Sequence, residues 1–223
     1  MIKLYKEDAF KFLEKLPKES VDLIITDPPY ASLEKYRSIG TTTRLKISKG
    51  SSNIWFPIIP NDRLPELIHL LYRVLRKNSH AYIFCDDETS NILLNIIQNE
   101  DFIYWGRLVW DKVNIGMGYH YRKRYEFILF LEKGKRKLRD LGVSNVLSVP
   151  RVHKGYPTEK PVDLLKILIK QSSTKGELIC DPFFGSGSIV EACKITGRSF
   201  IGTDISEEAH KYVSRRLNYR SLK

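Results

Sequence analysis

Apolar residues along the chain follow two spacings that alternate with each other. Some segments are short and continuously apolar, such as residues 21–26, which is typical of a strand covered on both faces. Others place apolar residues every three or four positions, such as residues 90–99, which is typical of an amphipathic helix. The alternation of the two patterns predicts an α/β fold whose sheet carries helices on both faces.

The predicted elements cover most of the chain. Strands are predicted at residues 2–5, 21–26, 81–85, 103–111, 125–132, 177–181 and 199–204. Helices are predicted at residues 9–16, 63–76, 90–99, 161–172, 188–196 and 207–217. Residues 31–62 and 133–154 lack a regular pattern, and irregular stretches of this length are usually functional or disordered. We predict a single domain over residues 1–223, in which these two ranges are variable loops.

The charge balance indicates a polyanionic partner. Lysine and arginine number 37 against 26 aspartates and glutamates, which gives a formal net charge of +11. Cationic side chains that neutralise phosphates drive non-specific binding to nucleic acid, although charge alone also fits a solvated basic surface. No apolar run approaches the ~20 residues of a membrane span. The cysteines are far apart and form no Cys-x-x-Cys pair, so we expect buried thiols in a reducing cytoplasm and no metal site.

A glycine-rich turn between a predicted strand and a predicted helix indicates a nucleoside-binding site. Residues 180–188 read Cys-Asp-Pro-Phe-Phe-Gly-Ser-Gly-Ser, and glycines at such a turn let a ligand approach the backbone. The next strand ends in Asp204, where an acid can bind both hydroxyls of a ribose. A dinucleotide fingerprint would need glycine where Val190 stands. A tight turn without a ligand is the alternative interpretation.

The tetrapeptide Asp27-Pro28-Pro29-Tyr30 directly follows the buried strand at residues 21–26. Open α/β sheets bind ligands at the carboxyl ends of their strands. Two consecutive prolines remove two N–H donors, so we expect the neighbouring carbonyls to point outward unpaired, beside a carboxylate and an aromatic ring. Such a cluster of acceptors suits an exocyclic amino group on a flat base. A rigid turn is the alternative for the tetrapeptide taken alone.

The order of these motifs resembles that of the DNA methyltransferases that methylate exocyclic amino groups. Asp-Pro-Pro-Tyr comes first and Asp-Pro-Phe-x-Gly-Ser-Gly comes late, which is similar to the circularly permuted β class of that family. Residues 6–9, 121–130 and 156–161 are similar to the family's cofactor-adenine motif, its strand beside the target base and the segment before its cofactor-side helix. The resemblance implies a Rossmann-like methyltransferase sheet with helices on both faces and S-adenosylmethionine as the cofactor.

The resemblance also implies roles for individual residues. The catalytic residues it implies are Asp27, Pro28, Pro29 and Tyr30. Tyr30 would stack on a base flipped out of the duplex, and the Asp27 side chain and the Pro28 carbonyl would accept from its amino group. The cofactor-binding residues it implies are Asp8, Thr158, Lys160, Asp181, Phe183, Phe184, Gly185, Ser186, Gly187 and Asp204.

Within the cofactor set, Asp204 is expected at the ribose hydroxyls and Asp8 at the adenine amino group. Thr158 and Lys160 are expected at the methionine carboxylate. A plain helix cap is the alternative for Asp8, and a surface side chain without a ligand is the alternative for Lys160.

Basic and aromatic side chains are expected to contact double-stranded DNA. The residues predicted to bind DNA are Tyr119, His120, Arg122, Lys123, Arg124, Lys135 and Arg136, and Lys133, Lys137 and Arg139 extend the basic segment. Residues 133–154 are too short for an independent recognition domain, so target recognition is expected instead from residues 31–62, a second subunit or a separate protein; loose specificity is the other alternative. The family resemblance is compatible with a homodimer and with a cognate restriction enzyme.

The first motif position bears on which base is methylated. Aspartate there favours adenine N6, whereas the cytosine-N4 enzymes of the family more often carry serine. A cytosine-N4 enzyme, an RNA methyltransferase and a catalytically silent DNA-binding relative are the alternatives that the sequence leaves open.

Overall fold

The computed structural model describes residues 1–32, 57–116, 120–153, 156 and 158–219. The strands in this part of the chain are β1 (Ile2–Tyr5), β2 (Val21–Thr26), β3 (Leu75–Cys85), β4 (Ile103–Asp111), β5 (Tyr125–Lys133), β6 (Val146–Ser148), β7 (Leu178–Asp181) and β8 (Ser199–Thr203). The helices are α1 (Ala9–Lys15), α2 (Leu64–Val74), α3 (Asp87–Ile97), α4 (Val162–Ser172), α5 (Ser188–Thr196) and α6 (Glu207–Tyr219), and a 3-10 turn, Asn61–Arg63, precedes α2.

The strands form one sheet in the order β1-β8-β7-β2-β3-β5-β4-β6. Strand β5 runs antiparallel to both of its neighbours, and the other pairs are parallel. From β2 the chain continues to β3 on one side, and from β7 it continues to β8 on the other side. The strand order therefore reverses between β2 and β7, which is where open α/β sheets bind ligands.

Helices cover both faces of this sheet, which confirms the predicted Rossmann-like α/β class. Successive side chains of β2 point to opposite faces, so Ile24 packs with α1, α2 and α3, while Leu23 and Ile25 pack with α4, α5 and α6. All six residues of β2 are buried, as expected for a strand covered twice. The central strand therefore fixes the position of the tetrapeptide that follows it.

The predicted elements differ most from the structure around β3, at α3 and within residues 133–154. Strand β3 is predicted from residue 81 but begins at Leu75, and α3 is predicted from residue 90 but begins at Asp87. The helix predicted to run to residue 76 ends at Val74, because the chain enters β3 early: Leu75 pairs with Val21 of β2. Strand β6 was not predicted within residues 133–154, since three residues are too short to show a period. Its residues pair with the end of β4.

Among the described residues, no helix is both long and apolar enough to cross a bilayer. The same part of the chain holds no group of three or more His, Cys, Asp or Glu side chains that could bind a metal ion. All three cysteines are buried and free.

Candidate active site

A cavity of about 1480 Å³ opens at the carboxyl ends of the central strands. The tetrapeptide Asp27-Pro28-Pro29-Tyr30, the glycine turn and Asp204 all line it. Typical small-molecule pockets measure roughly 300–1,000 Å³, so this cavity has room for a cofactor-sized molecule and a second ligand group beside it. The residues that the sequence separates widely therefore face one space.

A hydrogen bond ties the two strand ends that carry the motifs. The Thr26 hydroxyl, at the end of β2, donates to Oδ1 of Asp181, at the end of β7, over 2.8 Å. The backbone N–H of Phe183 donates to the same oxygen over 2.9 Å. Burial raises the pKa of Asp181 to about 7, against the partial offset of these two hydrogen bonds. Asp181 is thus held rigidly between the two halves of the site.

The two prolines do not leave every carbonyl unpaired, which corrects the expectation from the sequence. The Pro29 carbonyl accepts from the backbone N–H of Ile59 over 2.7 Å, and Tyr30 bridges to Ile59 as an isolated parallel pair. Within the described residues, no group donates a hydrogen bond to the Pro28 carbonyl. Tyr30 is buried, and burial raises the pKa of its hydroxyl. Pro29 therefore anchors Tyr30, while Asp27 and Pro28 face the cavity as acceptors.

Lys160 lies between two carboxylates, and one of them is the carboxylate of Asp27. Its ammonium forms an ion pair with Asp27 and a second with Oε1 of Glu126 at 3.0 Å. The other oxygen of Glu126 pairs with Nζ of Lys112 at 2.9 Å. These four side chains form an alternating chain of charges, which we call the Asp27–Lys112 network, in the order Asp27, Lys160, Glu126, Lys112. Lys160, which the resemblance places at the methionine carboxylate of the cofactor, pairs here with two protein carboxylates.

Burial and charge act in opposite directions on the pKa values of this network. Burial raises the pKa of Asp27 to about 6, and the opposing attraction of Lys160 keeps it from rising further. Burial favours the neutral forms of Lys160 and Glu126 as well, but the opposite charges around them outweigh it. The pKa of Lys160 is therefore raised by Asp27 and Glu126, and that of Glu126 is lowered by Lys160 and Lys112.

The glycine turn combines one glycine that faces the cavity with one that does not. Gly185 lines the cavity, and its N–H donates to Oδ2 of Asp204 over 2.9 Å. Gly187 has a left-handed φ of 71° and caps α5, and a Cβ there would overlap the side chain of Val213 on α6. Gly187 therefore has a packing role and, unlike Gly185, does not line the cavity, so its contact with a cofactor stays a prediction.

Further residues predicted to bind the cofactor, in the glycine turn and outside it, also line the cavity. Asp204 accepts from the N–H of Ser206 at 2.8 Å in addition to Gly185, and burial raises its pKa. Asp8 caps α1 by accepting from the N–H groups of Phe10 and Lys11, and it also lines the cavity, so both interpretations of Asp8 fit. The other candidates that line the cavity are Phe183, Phe184 and Ser186.

The segment before α4 holds a strained residue against the cavity. Thr158 has a φ of 60°, a left-handed conformation that is rare for a β-branched side chain. The next residue, Glu159, forms a buried ion pair with Arg216, which also pairs with Glu191 at 3.0 Å. Strain of this kind persists where the surroundings impose it and clusters at ligand clamps. The ion pair of Arg216 with Glu159 ties this segment to helix α6.

The predicted DNA-binding residues divide into two groups. His120 and Lys123 line the cavity, and Lys123 pairs with Asp87 at the start of α3. Arg122 is exposed outside the cavity lining, and the guanidinium of Arg124 is held by both oxygens of Asp111. Tyr119 lies outside the described residues.

The second group lies at the opposite edge of the sheet. β5 is antiparallel to β3, so the residues after Lys133 lie beside the amino-terminal half of β3, away from the cavity. Arg136 donates two hydrogen bonds to Glu177, which precedes β7. Lys133 is buried and donates to the carbonyls of Tyr72 and Leu75. Lys135 and Arg136 are therefore separated from the site, and of residues 133–153 only Arg151 and Val152 line the cavity.

Several residues that line the cavity were not predicted from the sequence. Glu126 is a charged residue directly before the apolar run at residues 127–131 of its strand, which is the pattern that could have marked it. Lys112 directly follows a strand that ends at this edge of the sheet. Arg63 and Arg151 carry no local pattern that separates them from other surface arginines. The guanidinium of Arg63 lies 3.6 Å from the centre of the Phe10 ring.

The strand order and the glycine turn at its switch point define the class of protein, a Rossmann-like fold with a nucleoside-binding edge. The family follows from the sequence as a whole. The family model described as DNA methylase, of the N6 and N4 type, matches residues 21–146 and 141–215. The chain belongs to this DNA methylase family.

Two curated relatives cover nearly the whole chain. The DNA adenine methyltransferase YhdJ of Escherichia coli (strain K12) is 32% identical over 254 residues, which cover 96% of this chain and 82% of the relative. The type II methyltransferase M.HpaI of Haemophilus parainfluenzae is 28% identical over 244 residues, which cover 97% of this chain and 74% of the relative.

Solved structures of DNA methyltransferases share the fold. The M1.HpyAVI–SAM complex aligns with a TM-score of 0.69 at 23% identity and covers 98% of this chain and 100% of that chain. The cytosine-N4-specific PvuII DNA methyltransferase aligns with a TM-score of 0.70 at 14% identity and covers 97% and 93%. At these identities the likeness establishes the fold.

Proposed function

We propose that this protein transfers the methyl group of S-adenosylmethionine to N6 of an adenine that is flipped out of double-stranded DNA. One observation carries the proposal: Asp27, Pro28 and Tyr30 share a single cavity with the glycine turn and Asp204. The acceptors for an amino group and the acceptors for a nucleoside therefore face each other across one space. Membership of the DNA methylase family supports the same activity.

The cavity fits S-adenosylmethionine by the chemistry of its side chains. Asp8, Asp181 and Asp204 provide carboxylate oxygens around the glycine turn, and these suit hydroxyl and amino groups. A pyrophosphate at the turn would face the carboxylates of Asp181 and Asp204, which argues against a dinucleotide. We assign Asp204 to the ribose hydroxyls and Asp8 to the adenine amino group. When bound, the cofactor supplies an electrophilic methyl group on a sulfonium.

The base-binding half of the cavity works through acceptors. The carboxylate of Asp27 and the carbonyl of Pro28 accept from the two hydrogens of an exocyclic amino group, and the Tyr30 ring stacks on the base. These hydrogen bonds hold the nitrogen lone pair toward the methyl donor, so catalysis consists of positioning and electrostatic stabilisation. Burial raises the pKa of the Cys85 thiol, so this nearby cysteine is unsuited to covalent catalysis.

Two observations support adenine as the target. Asp27 occupies the first motif position, where cytosine-N4 enzymes of the family more often carry serine. A relative that covers 96% of this chain, YhdJ, is named a DNA adenine methyltransferase. We therefore favour adenine N6, with cytosine N4 as the alternative.

We assign DNA binding to a cationic and aromatic rim around the cavity mouth. The rim consists of Arg63, His120, Tyr121, Lys123 and Arg151. Tyr121 and Arg151 are exposed, which suits contacts with phosphates and sugars. Residues 31–62 contribute Pro57 to Pro60 to the same cavity, so we assign target recognition to this range.

We further propose that the enzyme acts in the cytoplasm, and relatives named type II methyltransferases suggest a cognate restriction enzyme.

The test is incubation of the purified protein with labelled S-adenosylmethionine and unmethylated double-stranded DNA, followed by nucleoside mass spectrometry. N6-methyladenine is the expected product. N4-methylcytosine would overturn the choice of base and keep the class of reaction. Label that enters RNA but not DNA would overturn the proposed substrate.

Asp27→Ala tests the role of the tetrapeptide. The variant removes the acceptor for the amino group, so methyl transfer should be abolished while cofactor affinity, measured by equilibrium binding, stays nearly unchanged. Asp163→Ala, which removes a carboxylate whose side chain is 77% exposed, is the matched control. Near-wild-type methylation by the Asp27 variant would refute the assignment.

A further inference from the structure

The charged side chain of Lys160 is buried, and a buried lysine is expected to have charged or polar partners. Its side chain is 10% exposed, and its ammonium contacts the carboxylates of both Asp27 and Glu126. The rings of Phe84 and Trp110 cover it, with their centres 5.0 Å and 6.0 Å from Nζ. The ammonium donates a hydrogen bond to Asp27, and the carboxylate of Glu126 lies within ion-pair distance on another side.

We propose that Lys160 is a positioning residue for methyl transfer, which keeps Asp27 as a carboxylate aimed at the target amino group. Glu126 and Lys112 hold Lys160 in turn. This inference rests on the proposed function, and it replaces the expectation that Lys160 binds the methionine carboxylate of the cofactor.

The physical reason is that Asp27 must accept, and burial works against its ionised form. Protonation would turn one of the two oxygens of Asp27 into an O–H donor and remove the negative charge that strengthens the hydrogen bonds from the amino group of the base. Burial raises the pKa of Asp27, and the attraction of Lys160 is the largest opposing influence. Without Lys160, the carboxyl would be mainly protonated near neutral pH.

The other charges around Asp27 make the effect of Lys160 separable from general changes in the site. Glu126, on β5, raises the pKa of Asp27, and Lys112, which follows β4, lowers it. Asp181, on β7, and Tyr30 also face this region, and each interacts electrostatically with Asp27. Removing Lys160 and removing the charge of Glu126 should therefore move the pKa of Asp27 in opposite directions.

The experiment is carbon-13 NMR titration of the side-chain carboxyl of Asp27, assigned by its loss in Asp27→Asn. In the wild-type protein this carboxyl should titrate at a pKa of about 6. Lys160→Met should raise its pKa by about 1 to 3, the usual effect of losing an opposite charge at contact distance. Glu126→Gln should lower it. A residue that only packs in the fold would not give opposite displacements.

Two further measurements complete the test. The acid limb of the pH profile of methylation, at saturating cofactor, should move to higher pH in Lys160→Met, with cofactor affinity changed by less than about three-fold. If Lys160→Met does not fold, Lys112→Met supplies the same direction of displacement at a side chain that is 27% exposed.

Several outcomes would overturn the proposal. If the pKa of Asp27 in both the Lys160 and the Glu126 variants equals that of the wild type, these side chains are not electrostatically coupled to Asp27. A large loss of cofactor affinity in Lys160→Met, with no change in the pKa of Asp27, assigns Lys160 to the cofactor. The NMR titration does not need turnover. If the two variants shift the pKa of Asp27 in opposite directions while the wild-type protein fails to methylate DNA, the proposed function is refuted and the coupling is not.

Discussion

Replacing Asp181 by Asn should change how folding stability depends on pH. Asp181 is 6% exposed, and burial raises its pKa from an ordinary value of 3.8 to about 7. The folded chain therefore binds more protons than the unfolded chain between about pH 4 and about pH 7. Because the folded state favours the protonated form, the contribution of this carboxyl is most favourable at low pH and is lost as pH rises through this window.

The size of the effect on folding stability follows from the change in the pKa of Asp181. One pKa unit corresponds to about 1.4 kcal/mol, so a rise from 3.8 to about 7 costs about 4 kcal/mol once Asp181 is ionised in both states. Asparagine has the same shape, keeps one oxygen for the N–H of Phe183 and the hydroxyl of Thr26, and does not ionise. The stability of Asp181→Asn relative to wild type should therefore increase by up to about 4 kcal/mol from about pH 4 to about pH 8.

Urea denaturation followed by tryptophan fluorescence, at a series of pH values and without cofactor, measures this difference. Asp27 and Asp204 also have raised pKa values, but they are present in both proteins, so their contributions largely cancel. Asp163→Asn, at an exposed carboxylate, controls for the loss of one negative charge. A difference between Asp181→Asn and wild type that stays constant across this pH range would refute the reasoning.

Two other predictions test the packing of the turn and the DNA-binding rim. Gly187→Ala should destabilise the fold by about 1–3 kcal/mol more than Gly176→Ala, because both have a left-handed φ but only the first would overlap Val213; equal losses in denaturation would contradict this. The logarithm of the DNA association constant should fall linearly with the logarithm of the salt concentration. Arg151→Gln should reduce the slope of this plot by about one, whereas Lys135→Gln, at the opposite edge of the sheet, should leave the slope unchanged. Equal slopes for both variants, measured by fluorescence anisotropy, would remove Arg151 from the rim.

The sequence carried enough information for the fold and for the main motifs. Continuous burial of β2 follows from its unbroken apolar run, and the helix after the glycine turn begins at Ser188 as predicted. These features are local, because a strand's burial and a turn's glycines are set by neighbours within a few residues. Asp27, Asp181 and Asp204 could be placed at one edge because all three end parallel strands.

The partners of charged side chains could not be predicted in the same way. Lys160 and Asp27 are distant in sequence, and their ion pair depends on how the segment before α4 folds over the sheet. Arg136 looked available for phosphate, but the antiparallel course of β5 carries it to the far edge, beside Glu177. Pairing of this kind depends on sheet order, which the hydrophobic pattern does not specify.

The permuted order of motifs has a structural consequence for catalysis. β2 and β7 come from opposite ends of the sequence, yet they pair side by side, and the Thr26 hydroxyl bonds to Asp181 across them. The tetrapeptide proposed to bind the base and the turn proposed to bind the cofactor each begin within a residue of that bond. Catalysis by positioning tolerates little displacement, since an error of about 1 Å can cost about a hundredfold in rate. The sheet itself therefore sets the separation of the two half-sites, because both extend from neighbouring strands that are buried over all or most of their length.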